Sequence, residues 1–511
     1  MKRIRGSFSP PIGLDVRAKT PLYRQIYDWF RQAIVEGRLR SGQRVPSTRS
    51  LAAELKISRI PVLTAYEQLH AEGYLESFTG AGTCVASSIP QEGFSLAPRT
   101  PPHAQAHGRP RLSRRLATVM SAPHDPTLEA IGAFRVSLAA LDHFPGEVWA
   151  SLVSRHARHS SREAMAYGDP MGHLPFRETI AEYLGAARAV RCDASQIMVV
   201  SGSQHGLQVA ARALLDDGDA VWVEEPGYPG AHRALAMAGA KPVAVPTDQE
   251  GLDVDAGIRR ASRARAAYIT PSHQYPMGMT MSVARRMKLL NWAQEARAWI
   301  IEDDYDSEYR FGGHPLASVQ GLGPGDRVIY LGTFSKVLFP ALRMGYLVIP
   351  KELVPGFRVA RDSMDLFPST LFQKALTDFI RQGHFARHIR RMRMLYMERR
   401  RMLIEAMQNS LGARIEIVSA DAGMHLVCLL PRGSDDRDVS RRAAQAGISV
   451  IPLSTCYLGR PSRPGLVLGY GGVDRAAIEA GVGKLGQILK EARPKPGKAE
   501  TDKAAIRATA R

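Results

Sequence analysis

Between about Thr127 and Lys490, seven short apolar runs alternate with segments of helical periodicity, and this alternation restricts the fold more than any other feature. The runs are IMVV from Ile197, AVWVEE from Ala220, PVAVP from Pro242, AAYIT from Ala266, WIIEDD from Trp299, VIYLG from Val328 and GYLVIP from Gly345. Apolar strands alternating with helices belong to an α/β domain with a mostly parallel sheet. In such sheets ligands collect beyond the carboxyl ends of the strands. The residues that follow each run are where chemistry is to be sought.

After Val200, Ser201-Gly202-Ser203-Gln204 opens a helix, and backbone amides with hydroxyls there suit a phosphate. After Val223, the turn EEPGYPG carries Tyr228, whose ring can lie on a flat ligand or fill the turn. After Ile269, the loop TPSHQYPMG offers His273, Gln274 and Tyr275. After Ile301, carboxylates cluster at Glu302, Asp303, Asp304, Asp306 and Glu308, with Tyr305 among them. Buried carboxylates need a cationic or metal partner. No histidine pair stands with them at ligand spacing, so no metal is expected. After Leu331, Gly332-Thr333-Phe334-Ser335 delivers a single lysine, Lys336, with Arg343 seven residues on. A lysine amine in a partly desolvated pocket near other cations sheds its proton and becomes a nucleophile towards an aldehyde.

The first ninety residues have another organisation. Thr20 reads as the N-cap and Pro21 as the first residue of an amphipathic helix ending near Gly37, with Leu22, Ile26, Phe30 and Ile34 on its apolar face. Ser47 caps a short second helix carrying Leu51 and Leu55. Ser58 caps a third, whose Val62, Ala65, Tyr66 and Leu69 face inward. Two short helices joined by about three residues make a helix-turn-helix. Tyr74 to Val85 reads as a hairpin, a wing with Gly80 and Gly82 at its tip.

The order P-S-x-R-x-L-A, S-R, A-Y-x-x-L-x-x-E-G-Y and G-x-G-T, present at Pro46 to Ala52, Ser58-Arg59, Ala65 to Tyr74 and Gly80 to Thr83, resembles a GntR-type winged helix. The resemblance implies that the third helix enters the major groove of double-stranded DNA, with Ser58 and Arg59 near base edges or phosphate and Arg44 and Arg49 on the backbone. Gly82 would let the wing approach the minor groove, and Ser47 and Thr64 complete the DNA-facing set. Pro61 stands where such helices often carry threonine; in a first helical turn it is tolerated but removes a contact. A net charge of +19 and a pI near 10.0 also favour a nucleic-acid partner.

Together, the strand-end motifs of residues 127–490 resemble a fold-type I, pyridoxal-phosphate-dependent aminotransferase with a large cofactor-binding and a smaller C-terminal subdomain. The resemblance implies pyridoxal 5'-phosphate as cofactor and Lys336 as the catalytic residue forming its Schiff base. Asp303 would keep the pyridine nitrogen protonated, so that the ring acts as an electron sink. Tyr305 would bond the phenolic oxygen and Tyr228 would stack on the ring. Ser203, Gln204, Ser335 and Arg343 would take the phosphate, Arg343 by charge-assisted bonds. One departure is the loop TPSHQYPMG, which replaces the asparagine of N-P-T-G and puts Tyr275 at or near its place. The family binds substrate carboxylate with an arginine late in the small domain, and Arg463 is the nearest candidate, with Arg460 behind it. His273, Gln274, Tyr275 and Arg463 thus form the candidate effector set.

A winged helix joined to an aminotransferase-like body resembles the MocR subfamily of GntR regulators. The expected multidomain organisation is an N-terminal arm (1–19), a winged helix (20–87), a long basic semi-flexible tether (88–126), an effector body (127–490) and a disordered basic tail (491–511). The expected function is transcriptional regulation in which an amine, an amino acid or the cofactor itself is sensed at Lys336. The alternative is a working aminotransferase with a DNA-binding appendage. The resemblance further implies a homodimer, the winged helix of one chain packing on the body of the other. Four cysteines, Cys84, Cys192, Cys428 and Cys456, show no disulfide or metal spacing. No apolar run reaches the roughly 18 residues of a membrane span, so no membrane association and a cytoplasmic location are expected.

Overall fold

The computed structural model describes residues 10–78, 82–88, 112–121, 132–159, 162, 165–312, 316–418 and 421–491. Gly80, the first part of the expected arm, most of the expected tether and the tail beyond residue 491 lie outside the described residues. The chain divides into two compact units at residue 111.

In the first unit, α1 (Leu22–Val35), α2 (Thr48–Glu54) and α3 (Arg59–Ala71) enclose a core of Ile26, Phe30, Leu51, Val62, Ala65 and Leu69. Phe30 meets Tyr66 edge-on at 5.3 Å, and Tyr66 donates to the Pro46 carbonyl at 2.9 Å. Ser47 caps α2 as expected, accepting from the Ser50 amide at 3.1 Å. Thr20 does not cap α1. Pro21 holds that position, its carbonyl taking the Arg24 and Gln25 amides, while the Thr20 carbonyl is engaged by the Gln25 side chain. Ser58 is the α3 N-cap in extended backbone, but its hydroxyl makes no cap bond. The wing pairs β1 (Leu75–Phe78) with β2 (Gly82–Val85). Gly82 has φ +86°, a conformation that side chains disfavour. Backbone at Gln43 and Val45 extends this hairpin by bonding Val85 and Thr83 at 2.9 and 3.0 Å. Within the expected arm, Ile12 and Leu14 pack on the core.

In the second unit, each of the seven expected runs forms a strand. They are β3 (Ile197–Val200), β4 (Ala220–Glu225), β5 (Lys241–Asp248), β7 (Ala266–Ile269), β8 (Trp299–Asp304), β9 (Val328–Thr333) and β10 (Gly345–Val348), with a two-residue β6 (Gly251–Leu252) after β5. The sheet order is β3-β10-β9-β8-β7-β4-β5-β6. From β9 through β8, β7 and β4 to β5 all pairs are parallel; β10 runs against both neighbours, and β6 folds back on β5. Successive residues of a strand point to opposite faces. Val221 and Val223 accordingly pack under the helices Ser203–Leu214 and Pro229–Met237, while Trp222 packs under Val283–Glu295. There Trp222 stacks on Trp292 with ring centroids 3.8 Å apart.

A smaller antiparallel sheet, of order β11-β12-β14-β13, comprises β11 (Glu416–Val418), β12 (His425–Leu429), β13 (Ile451–Pro452) and β14 (Gly465–Gly469). The long helix His384–Leu411 and the helix Arg475–Glu491 supply Met407, Leu411, Leu485 and Ile488 to the core it shares.

The expected tether is corrected at one place: Arg114–Ser121 is a helix packed on Pro229–Met237, with Arg115 paired to Asp217. Its eight residues carry too short an apolar pattern to declare a helix, and the docking comes from the tertiary partner. Among the described residues no helix is long and apolar enough to cross a membrane.

Phe30 is fully buried, so Phe30→Ala leaves a cavity and should destabilise the winged helix by about 3–5 kcal/mol. Calorimetry of the full chain should show one transition moving to lower temperature, accompanied by weaker DNA binding.

Candidate active-site pocket

The carboxyl ends of β4, β7, β8 and β9 open onto one cavity, lined by residues that include Ser203, Tyr228, Tyr275, Asp303, Tyr305 and Lys336. Asp303 and Asp304 are adjacent at the end of β8 and so diverge. Asp304 turns to the other face, where it accepts from Arg188 at 2.7 Å and Tyr330 at 2.5 Å. Asp303 faces the cavity and is 4% exposed; its Oδ2 accepts from Tyr268 at 2.7 Å, and its Oδ1 is buried with no hydrogen-bond partner among the described residues. Burial lifts this carboxyl to about 7, Tyr268 and Lys336 oppose the rise, and Asp304 adds to it. Glu224, at the end of β4, is also raised to about 7 by burial, although Thr270 and Gln274 bond it.

The turn after β3 meets the segment between β9 and β10. Gly202 has φ +83°, and a Cβ there would lie 3.2–3.3 Å from the Arg343 guanidinium. Arg343 itself sits at φ +49°, its Nη2 donating to the Ser201 carbonyl at 2.8 Å. The Ser335 hydroxyl and Gln204 Oε1 are buried without partners among the described residues, while the Gln204 amide donates to the Gly230 carbonyl at 2.8 Å. The helix Ser203–Leu214 points its first amides the same way, the usual means of holding an anion.

Of the three loop residues in the candidate effector set, only Tyr275 lines the cavity, with Tyr228 edge-on at 5.6 Å. Gln274 is 1% exposed and spends its amide on the carbonyls of Pro226 and Tyr275, at 2.8 and 2.6 Å. His273 is 2% exposed and bonds Asp306 at 3.0 Å, while the Tyr305 hydroxyl donates to the His273 carbonyl at 2.9 Å. Both residues therefore hold the loop. Arg463 is not brought to the cavity either. It pairs with Glu416 at 2.6 Å, beside the Gly465 end of β14, whereas His425, at the opposite end of the sheet register, is the residue 5.4 Å from the Tyr275 ring.

His425 was missed by sequence reasoning because nothing adjacent to it marks it. Burial, with His273 nearby, lowers its pKa to about 3, and the neutral ring bonds the Pro276 carbonyl at 3.0 Å. Ligand-type atoms of His273, Asp306 and His425 lie within 4.8 Å of one another. These groups already hydrogen-bond the protein, as befits a positioning network.

In the winged helix, Arg44, Ser47, Arg49, Ser58, Arg59, Thr64 and Gly82 are all exposed. Arg59 Nε donates to Thr48 Oγ1 at 3.1 Å, tying α3 to α2. Ile60 and Leu63 are 72% and 39% exposed on α3. Apolar side chains in this position suit thymine methyl groups; the sequence reading, which sought polar readers, passed over them.

Residues 22–85 match the family of bacterial regulatory proteins, gntR family, and residues 137–479 match aminotransferase class I and II. The chain is 41% identical to the probable rhizopine catabolism regulatory protein MocR of Rhizobium meliloti, across 92% of this chain and 94% of that one. It is a MocR-type GntR regulator. Another regulator of this MocR-like kind, the pyridoxine biosynthesis transcriptional regulator PdxR of Corynebacterium glutamicum, is 31% identical over 92% of this chain and 96% of its own. The aminotransferase-like body of this MocR-type chain resembles the α-aminoadipate aminotransferase LysN of Thermus thermophilus, solved with N-(5'-phosphopyridoxyl)-L-leucine. The TM-score is 0.69 and the identity 28%, covering 74% of this chain and 97% of that one.

The raised Asp303 carboxyl has a consequence for stability. Between about pH 4 and pH 7 the folded chain keeps a proton that an unfolded aspartate has lost, so stability falls as pH rises through this window. Ligand-free Asp303→Asn should therefore melt above the parent at about pH 8 and together with it at about pH 4, as followed by thermal unfolding.

Proposed function

We propose that this regulator holds pyridoxal 5'-phosphate in the pocket around Lys336 and Asp303, and that a primary amine reaching Lys336 alters DNA binding by residues 20–87. The observation that carries the reading is the unpartnered buried Asp303 Oδ1 in a pocket shared with Lys336. A protonated pyridine nitrogen would supply the missing donor and favour the ionised carboxylate. The unpartnered Ser335 hydroxyl and Gln204 Oε1, with Arg343 and the amides after Gly202, suit the phosphate end. Tyr228 would cover the ring and Tyr305 would turn its hydroxyl to the phenolic oxygen. When bound, the group supplies an electrophilic carbon at which one amine can replace another.

Lys336, in a pocket with raised acids, would hold the group until an amine displaced it, and the body would then shift between states that differ in their affinity for DNA. In this reading residues 20–87 are the DNA reader and 127–490 the sensor. The chain works as a homodimer in which the winged helix of one copy packs on the body of the other, so the operator carries paired half-sites.

The test follows cofactor absorbance and operator binding together while amines are titrated. A spectral change with altered DNA affinity and no keto product supports the sensor; sustained keto product supports an aminotransferase. Lys336→Ala should abolish both amine-dependent responses. Arg59→Ala should cost about 1–3 kcal/mol of operator binding and leave the cofactor spectrum unchanged.

A further inference from the structure

The outward face of α3 is apolar where a helix of its kind meets bases. Helical residues advance by about 100° each, so the core-facing Val62, Ala65, Tyr66 and Leu69 leave Ile60, Leu63, Thr64 and Glu67 on the opposite ridge. All four of these are exposed, Ile60 by 72% and Leu63 by 39%. Three residues apart on one helix, Ile60 and Leu63 carry Cβ atoms about 5–6 Å from each other. The second helix of a helix-turn-helix lies in the major groove, with its N-terminal residues against base edges. In α3 that end holds Ser58, Arg59, Ile60, Leu63 and Thr64, and Glu67 follows one turn later.

The surroundings of the apolar pair are basic. Arg59 leans towards α2, where its Nε bonds Thr48 at 3.1 Å, and Arg44 and Arg49 are exposed on the same unit. Guanidinium groups at the rim attract phosphates, which sets the DNA groove above an apolar protein as the occupant of this face. In the groove the only methyl group offered by the four bases is that on C5 of thymine. Ile60 or Leu63 set against the polar edge of another base would strip its water and return no hydrogen bond. Set against a thymine methyl, the same side chains bury apolar surface on both partners. Successive base pairs are about 3.4 Å apart, so two side chains at this spacing reach thymines in adjacent or next-but-one pairs.

We infer that the protein selects its DNA site in part through the methyl groups of two neighbouring thymines, seated on Ile60 and Leu63. Both residues are then specificity determinants. The inference rests on the DNA-reading role of residues 20–87 and assigns the base that two of them select.

The test begins with full-length protein enriching duplexes from a random-sequence pool. Each thymine of the enriched site is then replaced singly by deoxyuridine, which removes the methyl and keeps every hydrogen-bonding group. Replacement at one or two neighbouring positions should weaken binding by at least about 2-fold. Ile60→Ala and Leu63→Ala remove exposed side chains and leave the core of the winged helix untouched. Each variant should bind the thymine and deoxyuridine duplexes equally at one of those positions and keep the salt dependence of the parent, since the arginines are unchanged. If no replacement has an effect of that size, if either variant keeps the parent's discrimination at every position, or if the substitutions change only self-association, the inference is overturned while the DNA-reading role stands. If the pool yields no enriched duplex, both fall together.

Discussion

The buried carboxylate of Asp303 is the interaction on which the pocket depends. A charged group this deep is stable only with partners, and among the described residues only one of its oxygens has one: a phenol serves Oδ2 and nothing serves Oδ1. Its neighbour Asp304 is served differently: a guanidinium, Arg188, and a phenol, Tyr330, both bond its Oδ2 on the other face, while its Oδ1, like that of Asp303, has no partner among the described residues. One strand end thus holds two carboxylates whose environments differ because successive residues diverge. Asp304 locks the sheet to its surroundings, and Asp303 leaves an acceptor for a ligand.

Much of this was legible in the sequence because strand alternation is a local property. The seven runs, the turn at Gly202 and the arrival of Lys336 after β9 follow from periodicity and from the small residues that end each run. Ser47 was legible for the same reason, since its hydroxyl serves an amide three residues away. What escaped depended on side chains from elsewhere. Thr20 is not the cap because the first amides of the helix, at Arg24 and Gln25, go to the Pro21 carbonyl, and a glutamine side chain from the next turn takes the Thr20 carbonyl. The helix at Arg114–Ser121 exists against another helix, with Asp217 as a partner 102 residues from Arg115.

The loop from Thr270 to Gly278 illustrates the same limit at the site. Its residue types suggested three ligand contacts, yet His273 and Gln274 are consumed in holding it and Tyr275 alone faces the cavity. Which of three adjacent polar side chains points inward depends on Glu224, Pro226 and Asp306, contributed by other parts of the chain. Arg463 failed for an equivalent reason: its place in the chain suited a ligand, but Glu416 in the same small sheet claims it.

The contact between Gly202 and Arg343 has a consequence for how this chain can change over generations. A methyl group at position 202 would press on the guanidinium at 3.2–3.3 Å in a backbone conformation that already disfavours it, and a different side chain at 343 would leave the Ser201 carbonyl without its donor. Neither position can drift alone without loss, although they lie 141 residues apart in the sequence (343 less 202). Descendants of this protein are expected to keep both or to exchange both, so the pair forms an inherited unit that no inspection of either segment by itself would disclose.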